Sequence, residues 1–277
     1  MAAVKESCSL AIVNQTKMER DMKLEDIQCI GILGAGVMGG GIGQCAIQAG
    51  KKVIIRDLTD EICENAKDVI INSRFGFKKA VEMGKMTEEG MDKALSLLNF
   101  TTKVEDLKDC DLIIEAIGGG DDGAIENKPL KFKVWAEMEE VVKKEAVFAS
   151  NTSMFTIADL AKVTQRKDRF IGMHLFSPAN IMKLVEVTKT DDTTEDVVQL
   201  IVDLSESWGK TPIVLKDVPG DTGFIGNRIM KAVRIEAMKI LEEGVGTKED
   251  INLAMTLGFR WPSGPFPQGP GARSGWK

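Results

Sequence analysis

Tyrosine is absent from the 277 residues, and histidine occurs once, as His174. The first absence excludes a Tyr–Lys proton relay, and the second excludes any zinc site that needs two imidazoles. The five cysteines, Cys8, Cys29, Cys45, Cys63 and Cys110, are odd in number, widely spaced and free of any C-x-x-C pair. That pattern argues against a disulfide framework or a thiolate metal site and fits a reducing compartment. Long apolar runs are missing as well. Within the longest uncharged stretch, residues 29–48 hold seven glycines, too many for a membrane helix, and the N-terminal segment carries Glu6, Glu19 and Asp21 with no apolar run of signal-peptide length. A cytoplasmic protein is expected, with the mitochondrial matrix as the alternative. Positive charge is also in deficit: 36 basic against 42 acidic side chains give a net charge of -6, the wrong sign for phosphate contacts along nucleic acid. Neither a nucleic-acid nor a membrane partner is expected, so any polyanionic ligand must be held locally.

What is present is the composition of a globular chain, 43% hydrophobic and 28% charged. After an unpatterned N-terminal extension, 1–24, residues 28–33 read as a buried strand, followed by a glycine turn, a helix ending at Gly50 and a second strand at 53–56. Thr59 with Asp60 and Glu61 starts a helix whose apolar positions Ile62, Val69, Ile70 and Phe77 keep helical spacing to Gly84. Another helix starts at Thr87, and strands follow at 111–117 and 147–149, separated by a helix with Pro129 in its first turn. Shorter strands are expected at 170–173, 183–187 and 213–215, with a helix over 194–208. Alternation of this kind predicts an α/β fold, a doubly wound parallel sheet of the Rossmann type over 25–216. Beyond it only helical patterns remain, at 224–243 and 248–257, so 217–277 reads as a short all-helical domain. Its last twenty residues hold five glycines and four of the eight prolines and should be irregular.

Gly34-Ala35-Gly36-Val37-Met38-Gly39 is a G-x-G-x-x-G set between strand and helix, the context in which that pattern binds a dinucleotide. Gly34 permits the tight turn, Gly36 lets a pyrophosphate approach the backbone, and Gly39 allows helix and strand to pack closely. Asp57 closes the second strand, 23 positions beyond Gly34, where a carboxylate accepts from the adenosine ribose hydroxyls and repels a 2′-phosphate. NAD is the expected cofactor, although Arg56 alongside leaves NADP open. Twelve residues after His174, Glu186 lies in the apolar run Leu184-Val185-Glu186-Val187, where an ionised carboxylate is costly without a partner. A carboxylate on one ring nitrogen fixes the tautomer and leaves the other to take a proton. On spacing alone, a structural histidine beside an edge-strand glutamate is an equal reading.

These segments, with Asn151-Thr152-Ser153, Met173 to Pro178, Met182 to Val187 and Gly223 to Arg228, resemble the (S)-3-hydroxyacyl-CoA dehydrogenase family from about Ile27 to Phe266. The resemblance implies NAD-dependent oxidation of a 3-hydroxyacyl-CoA to the 3-oxoacyl-CoA, and the reverse. It makes His174 the base, Glu186 its orienting partner, Ser153 a contact to the substrate oxygen and Asn227 a substrate contact. It assigns Val37, Met38, Ala116, Glu126, Lys131 and Asn151 to the cofactor along with the glycines and Asp57. Lys67, Arg74 and Lys78 share one face if they lie on one helix, where Arg74 and Lys78 would meet the CoA phosphates; a merely solvated face is the alternative.

Three departures from the family pattern stand out. Ser177 occupies the place of an asparagine after the histidine, Gly118 to Ala124 and Asp221 to Gly223 lengthen two turns, and the helices that usually follow Phe266 give way to a Pro/Gly tail. The implied homodimer would then lack contacts that those helices supply. An NAD-binding protein with impaired catalysis and a related small hydroxy-acid dehydrogenase remain the alternatives, the latter disfavoured by Ser177-Pro178-Ala179 with Met182-Lys183.

Overall fold

The computed structural model describes residues 22–119, 126–220 and 223–266. Two compact units divide the chain, Met1–Gly220 and Asp221–Lys277. In the first, eight strands form one sheet: β1 Cys29–Leu33, β2 Lys52–Arg56, β3 Leu98–Thr101, β4 Leu112–Glu115, β5 Val147–Ser150, β6 Phe170–Leu175, β7 Leu184–Lys189 and β8 Thr211–Lys216. Their order is β3-β2-β1-β4-β5-β6-β7-β8, and every neighbouring pair is parallel except β6 with β7. Helices α1 Val37–Gln48, α2 Asp60–Asn72, α3 Phe77–Glu82, α4 Glu88–Leu95, α5 Lys128–Val141, α6 Ile157–Leu160 and α7 Glu195–Ser207 accompany it.

Near-continuous apolar strands are what a sheet covered on both faces requires. Alternate side chains separate the two cores: Ile30, Ile32, Val147, Ala149, Ile171 and Met173 join one cluster with residues of α1, α2 and α7. Opposite in parity, Phe148 and Phe170 each pack 4.8 Å, centroid to centroid, from Trp135 of α5 on the other face. Caps fix where helices begin. Thr59, Thr87 and Asn127 accept from Ile62, Gly90 and Leu130 N–H at 3.3, 3.0 and 2.9 Å. Among the described residues Cys29, Cys45, Cys63 and Cys110 are free thiols.

Two expectations change. Residues 98–101 form a strand that sequence pattern does not reveal, and the helix expected from Thr59 to Gly84 is broken. It stops at Asn72 and resumes at Phe77 after a turn capped by Gly76, where a Cβ would come within 2.8 Å of the Ile70 and Ile71 carbonyl oxygens. Helical spacing survives the break because both pieces turn apolar residues, Ile70 and Phe77, to one core.

Asp111 fastens the amino ends of β1 and β4. Its carboxylate accepts from the N–H groups of Gln28 and Cys29, each at 2.8 Å, and from Lys143 Nζ at 2.5 Å. Burial opposes the ionised form, but the hydrogen bonds from Lys143 and the two N–H groups outweigh it and hold Asp111 below the ordinary carboxylate range. A depressed folded value contributes stability above the unfolded value, near pH ~4, that is lost as pH falls through the folded one. The melting temperature should therefore drop below about pH 4, and drop less steeply in Asp111→Asn; equal slopes by calorimetry would contradict this.

The first unit runs on to Gly220 because Asp217 belongs to it: its N–H donates to Lys189 O and its carboxylate accepts from Ala158 N–H, both at 2.8 Å. The second unit contains α8 Gly226–Glu242 and α9 Lys248–Leu253, which passes into a π-helical turn, Ala254–Gly258. Thr247 and Asp250 close a capping box before α9, and Ala237, Ile251 and Phe266 form a small core. Asn252 exchanges two hydrogen bonds with the Phe266 backbone, at 3.2 and 3.0 Å. The N-terminal extension as far as residue 21, most of the Gly118–Ala124 insertion and the tail from 267 lie outside the described residues.

Candidate active site

The sheet order reverses between β1 and β4, so their carboxyl ends diverge into a crevice, the position where open α/β sheets hold ligands. Gly34 leaves β1 with φ +99°, a left-handed conformation, and a Cβ there would stand 2.9 Å from Ala116 O. Gly39 is tighter still, since its Cβ would fall 1.8 Å from Gly34 O. Gly36 differs from both. No atom lies within 4 Å of its missing Cβ, so the loop is open on the side from which a phosphate would approach. Gly36 also stands at the N-cap of α1 without a side-chain cap, leaving first-turn N–H groups for an anion. Val37 is exposed and Met38 half-buried beside it.

Asp57 follows β2 on the same edge. Its two carboxylate oxygens accept from Ala35 N–H at 2.6 Å and Leu58 N–H at 2.7 Å. The acidic residue is thereby locked to the glycine turn, with lone pairs remaining for a ribose diol. The turn, the bare helix start and the locked carboxylate fit a dinucleotide.

His174 and Glu186 are cross-strand partners in the antiparallel β6–β7 pair, and partners directly opposite project from the same face. That register brings Nδ1 to 2.7 Å from Glu186 Oε2. Both residues are buried, and Phe176 lies 4.6 Å from the imidazole, centroid to centroid. Asn151, after β5, does not extend from the sheet edge unpartnered: its Oδ1 accepts from Leu175 N–H at 2.9 Å and ties the end of β5 to that of β6.

Between the glycine loop and the histidine lies a buried polar network whose central acid the sequence reading left without a role. Glu115 ends β4 fully buried, in register with Leu33 and Ser150. It accepts from Ser150 Oγ and Ile117 N–H, both at 2.7 Å, and pairs closely with Lys131 Nζ. Lys131, also buried, reaches Glu126 Oε2 at 3.2 Å and Ile117 O at 3.0 Å. Glu126 in turn accepts from Thr152 Oγ1 at 2.6 Å and from Ser153 N–H and Oγ at 2.7 and 2.8 Å. Burial disfavours its charge, but Lys131 and these donors prevail and hold Glu126 below the ordinary carboxylate range. Glu115, in Leu-Ile-Ile-Glu-Ala-Ile, is as costly to bury without a partner as Glu186, and that apolar setting is its signal in the sequence.

Other expected residues are placed apart. Lys67, Arg74 and Lys78 do not share one helix: Lys67 is on α2, Arg74 in the break, and Lys78 on α3. All three are exposed, and Arg74 lies over the Phe75 ring at 5.0 Å. Asn227 belongs to the second unit, in the first turn of α8, where its Cβ would stand 3.0 Å from a Cβ on Gly223.

A glycine turn opening a helix, an acid closing the next strand and a histidine–carboxylate pair on one sheet define a dinucleotide-dependent dehydrogenase. Residues 29–218 match the family model for the 3-hydroxyacyl-CoA dehydrogenase NAD binding domain, and 223–268 that for the C-terminal domain of the same family. The mitochondrial hydroxyacyl-coenzyme A dehydrogenase of Sus scrofa is 37% identical over 87% of this chain and 74% of its own length. A protein of Deinococcus radiodurans described as a probable 3-hydroxybutyryl-CoA dehydrogenase is 38% identical over 85% and 80%. The crystal structure of (S)-3-hydroxybutyryl-CoA dehydrogenase PaaH1 from Ralstonia eutropha superposes with a TM-score of 0.79 at 36% identity, covering 86% of this chain and 80% of that one. The chain belongs to the 3-hydroxyacyl-CoA dehydrogenase family and is an NAD-dependent enzyme of that type. No helix among the described residues is long and apolar enough to cross a membrane.

Proposed function

We propose that His174 is the general base of the oxidation of a 3-hydroxyacyl-CoA, and the general acid of the reverse reduction. The observation that carries this is the 2.7 Å hydrogen bond from His174 Nδ1 to Glu186 on a single buried face. With Nδ1–H donated to the carboxylate, Nε2 keeps its lone pair for the substrate hydroxyl proton, and the adjacent charge stabilises the imidazolium that results. NAD, when bound, supplies the acceptor for the hydride leaving the same carbon.

The remaining residues bind and orient. Gly34, Gly36, Val37, Met38 and Gly39 cradle the pyrophosphate, Asp57 receives the adenosine ribose, and Ala116, Glu126, Lys131 and Asn151 line the nicotinamide half. Ser153 contacts the substrate oxygen. Its hydroxyl rests on Glu126 at 2.8 Å, and turning that proton to the substrate oxygen leaves the alcohol proton for His174. Asn227 contributes a further substrate contact, and a homodimer is the assembly this reading carries with it. Arg74 and Lys78, exposed at the helix break, are retained as contacts to the CoA phosphates through their charge alone.

The test is acetoacetyl-CoA-dependent loss of NADH absorbance by the full chain. Turnover supports the assignment; NADH binding without turnover would instead mark a binding protein with impaired catalysis. Asp57 gives a separate expectation. Asp57→Asn should weaken NADH binding roughly tenfold, the value of a charged hydrogen bond, while NADPH binding weakens less. Fluorescence titration showing tighter NADPH than NADH in the parent would refute the role given to Asp57.

A further inference from the structure

Two carboxylates, Glu115 and Glu126, are buried against one ammonium, Lys131, so the cluster carries an uncompensated negative charge. Among the described residues every hydrogen-bond partner of the two acids is a donor: Lys131 Nζ, Ser150 Oγ, Ile117 N–H, Thr152 Oγ1, and the N–H and Oγ of Ser153. Donors of this kind stabilise carboxylate charge. Glu115 is in register with Leu33, the residue before the glycine turn, and with Ser150, the residue before Asn151. A dinucleotide anchored at Asp57 and crossing the glycine turn must lay its other end over β4 and β5 if His174 on β6 is to reach the reacting carbon. That end is a cationic ring when oxidised and a neutral one when reduced.

We infer that Glu115 is a positioning residue whose buried charge, shared through Lys131 with Glu126, favours the oxidised over the reduced nicotinamide. It touches neither substrate nor cofactor. It acts by holding Lys131 in place and by leaving the cluster one negative charge in excess, in a low-dielectric setting where screening by salt is weak. The inference rests on the dehydrogenase reading of the site.

Titration calorimetry of the full chain with NAD and with NADH tests it. Glu115→Gln keeps the shape and removes the charge, and should raise the ratio of the NAD Kd to the NADH Kd by about tenfold. Glu115→Asp retains the charge and should leave the ratio near the parent value even where both affinities fall. Ser150→Ala, which removes two hydrogen bonds, to Glu115 and from Thr152 N–H, and no charge, should also leave the ratio unchanged. A purely structural role predicts that Glu115→Gln weakens both ligands by the same factor, and that result would overturn the inference. Should Glu115→Gln fail to fold, Glu126→Gln neutralises the same cluster from the other side and must shift the ratio in the same direction. A parent that binds neither nucleotide would overturn the dehydrogenase reading as well, whereas binding of both with an unmoved ratio overturns this inference alone.

Discussion

Replacing His174 by glutamine lowers kcat for acetoacetyl-CoA reduction by on the order of 10² to 10⁴, the range contributed by a positioned acid or base, and leaves the NADH Kd within about twofold. The split follows from placement. Asp57 and the glycine turn sit at the ends of β2 and β1, whereas His174 lies on β6, beyond β4 and β5 in the sheet. Glutamine retains a donor for Glu186, but it has no group that exchanges a proton near neutral pH. Glu186→Gln should cost less, roughly tenfold to a hundredfold in kcat, because the imidazole remains and loses only its fixed tautomer and the charge that stabilises its protonated form. The variants separate chemistry from binding when steady-state rates are read beside nucleotide titration. Near-parental turnover in His174→Gln would remove the mechanism.

Much of this arrangement is legible in the sequence because the residues concerned obey strong local rules. Gly34 needs a left-handed backbone, Gly39 has no room for a Cβ, and Asp57 has to end a strand a set distance onward, so the three announce themselves by type and spacing. His174 and Glu186 are visible for a different reason: an acid in an apolar strand calls for a partner, and the chain has one imidazole to offer. What spacing does not supply is the antiparallel turn of β7, without which the two would not be cross-strand neighbours. The structure also reveals what depends on distant packing. Leu98–Thr101 is too short and too mixed to read as a strand until β2 lies beside it. The break at Gly76 preserves the apolar period on both sides and so hides from any periodicity argument. Glu115 and Lys131, sixteen residues apart, meet because α5 returns across the end of β4, a tertiary fact with no local signature.

Two alanine substitutions three residues apart in the glycine turn should fail in opposite ways. Gly39→Ala places a methyl group 1.8 Å from the Gly34 carbonyl oxygen, and neither partner is a flexible side-chain end: one is the first turn of α1, the other the exit of β1. Backbone must move apart. Overpacking of this kind typically costs about 1–3 kcal/mol, and because Gly34 is itself pinned by its N–H to Arg56 O at 2.9 Å, the upper part of that range is expected. The displaced turn also no longer presents its N–H groups together, so NADH affinity should fall by more than tenfold along with the melting temperature. Gly36→Ala meets no atom within 4 Å, and the backbone there, φ −70° and ψ −171°, is extended and open to any residue. Its stability should stay within about 0.5 kcal/mol of the parent, as for an unobstructed surface change, while NADH binding still weakens severely because the methyl group occupies the space a pyrophosphate needs. Thermal denaturation read beside NADH titration distinguishes the two. If Gly36→Ala bound NADH as the parent does, the open side of the turn would not be where the cofactor's phosphates lie.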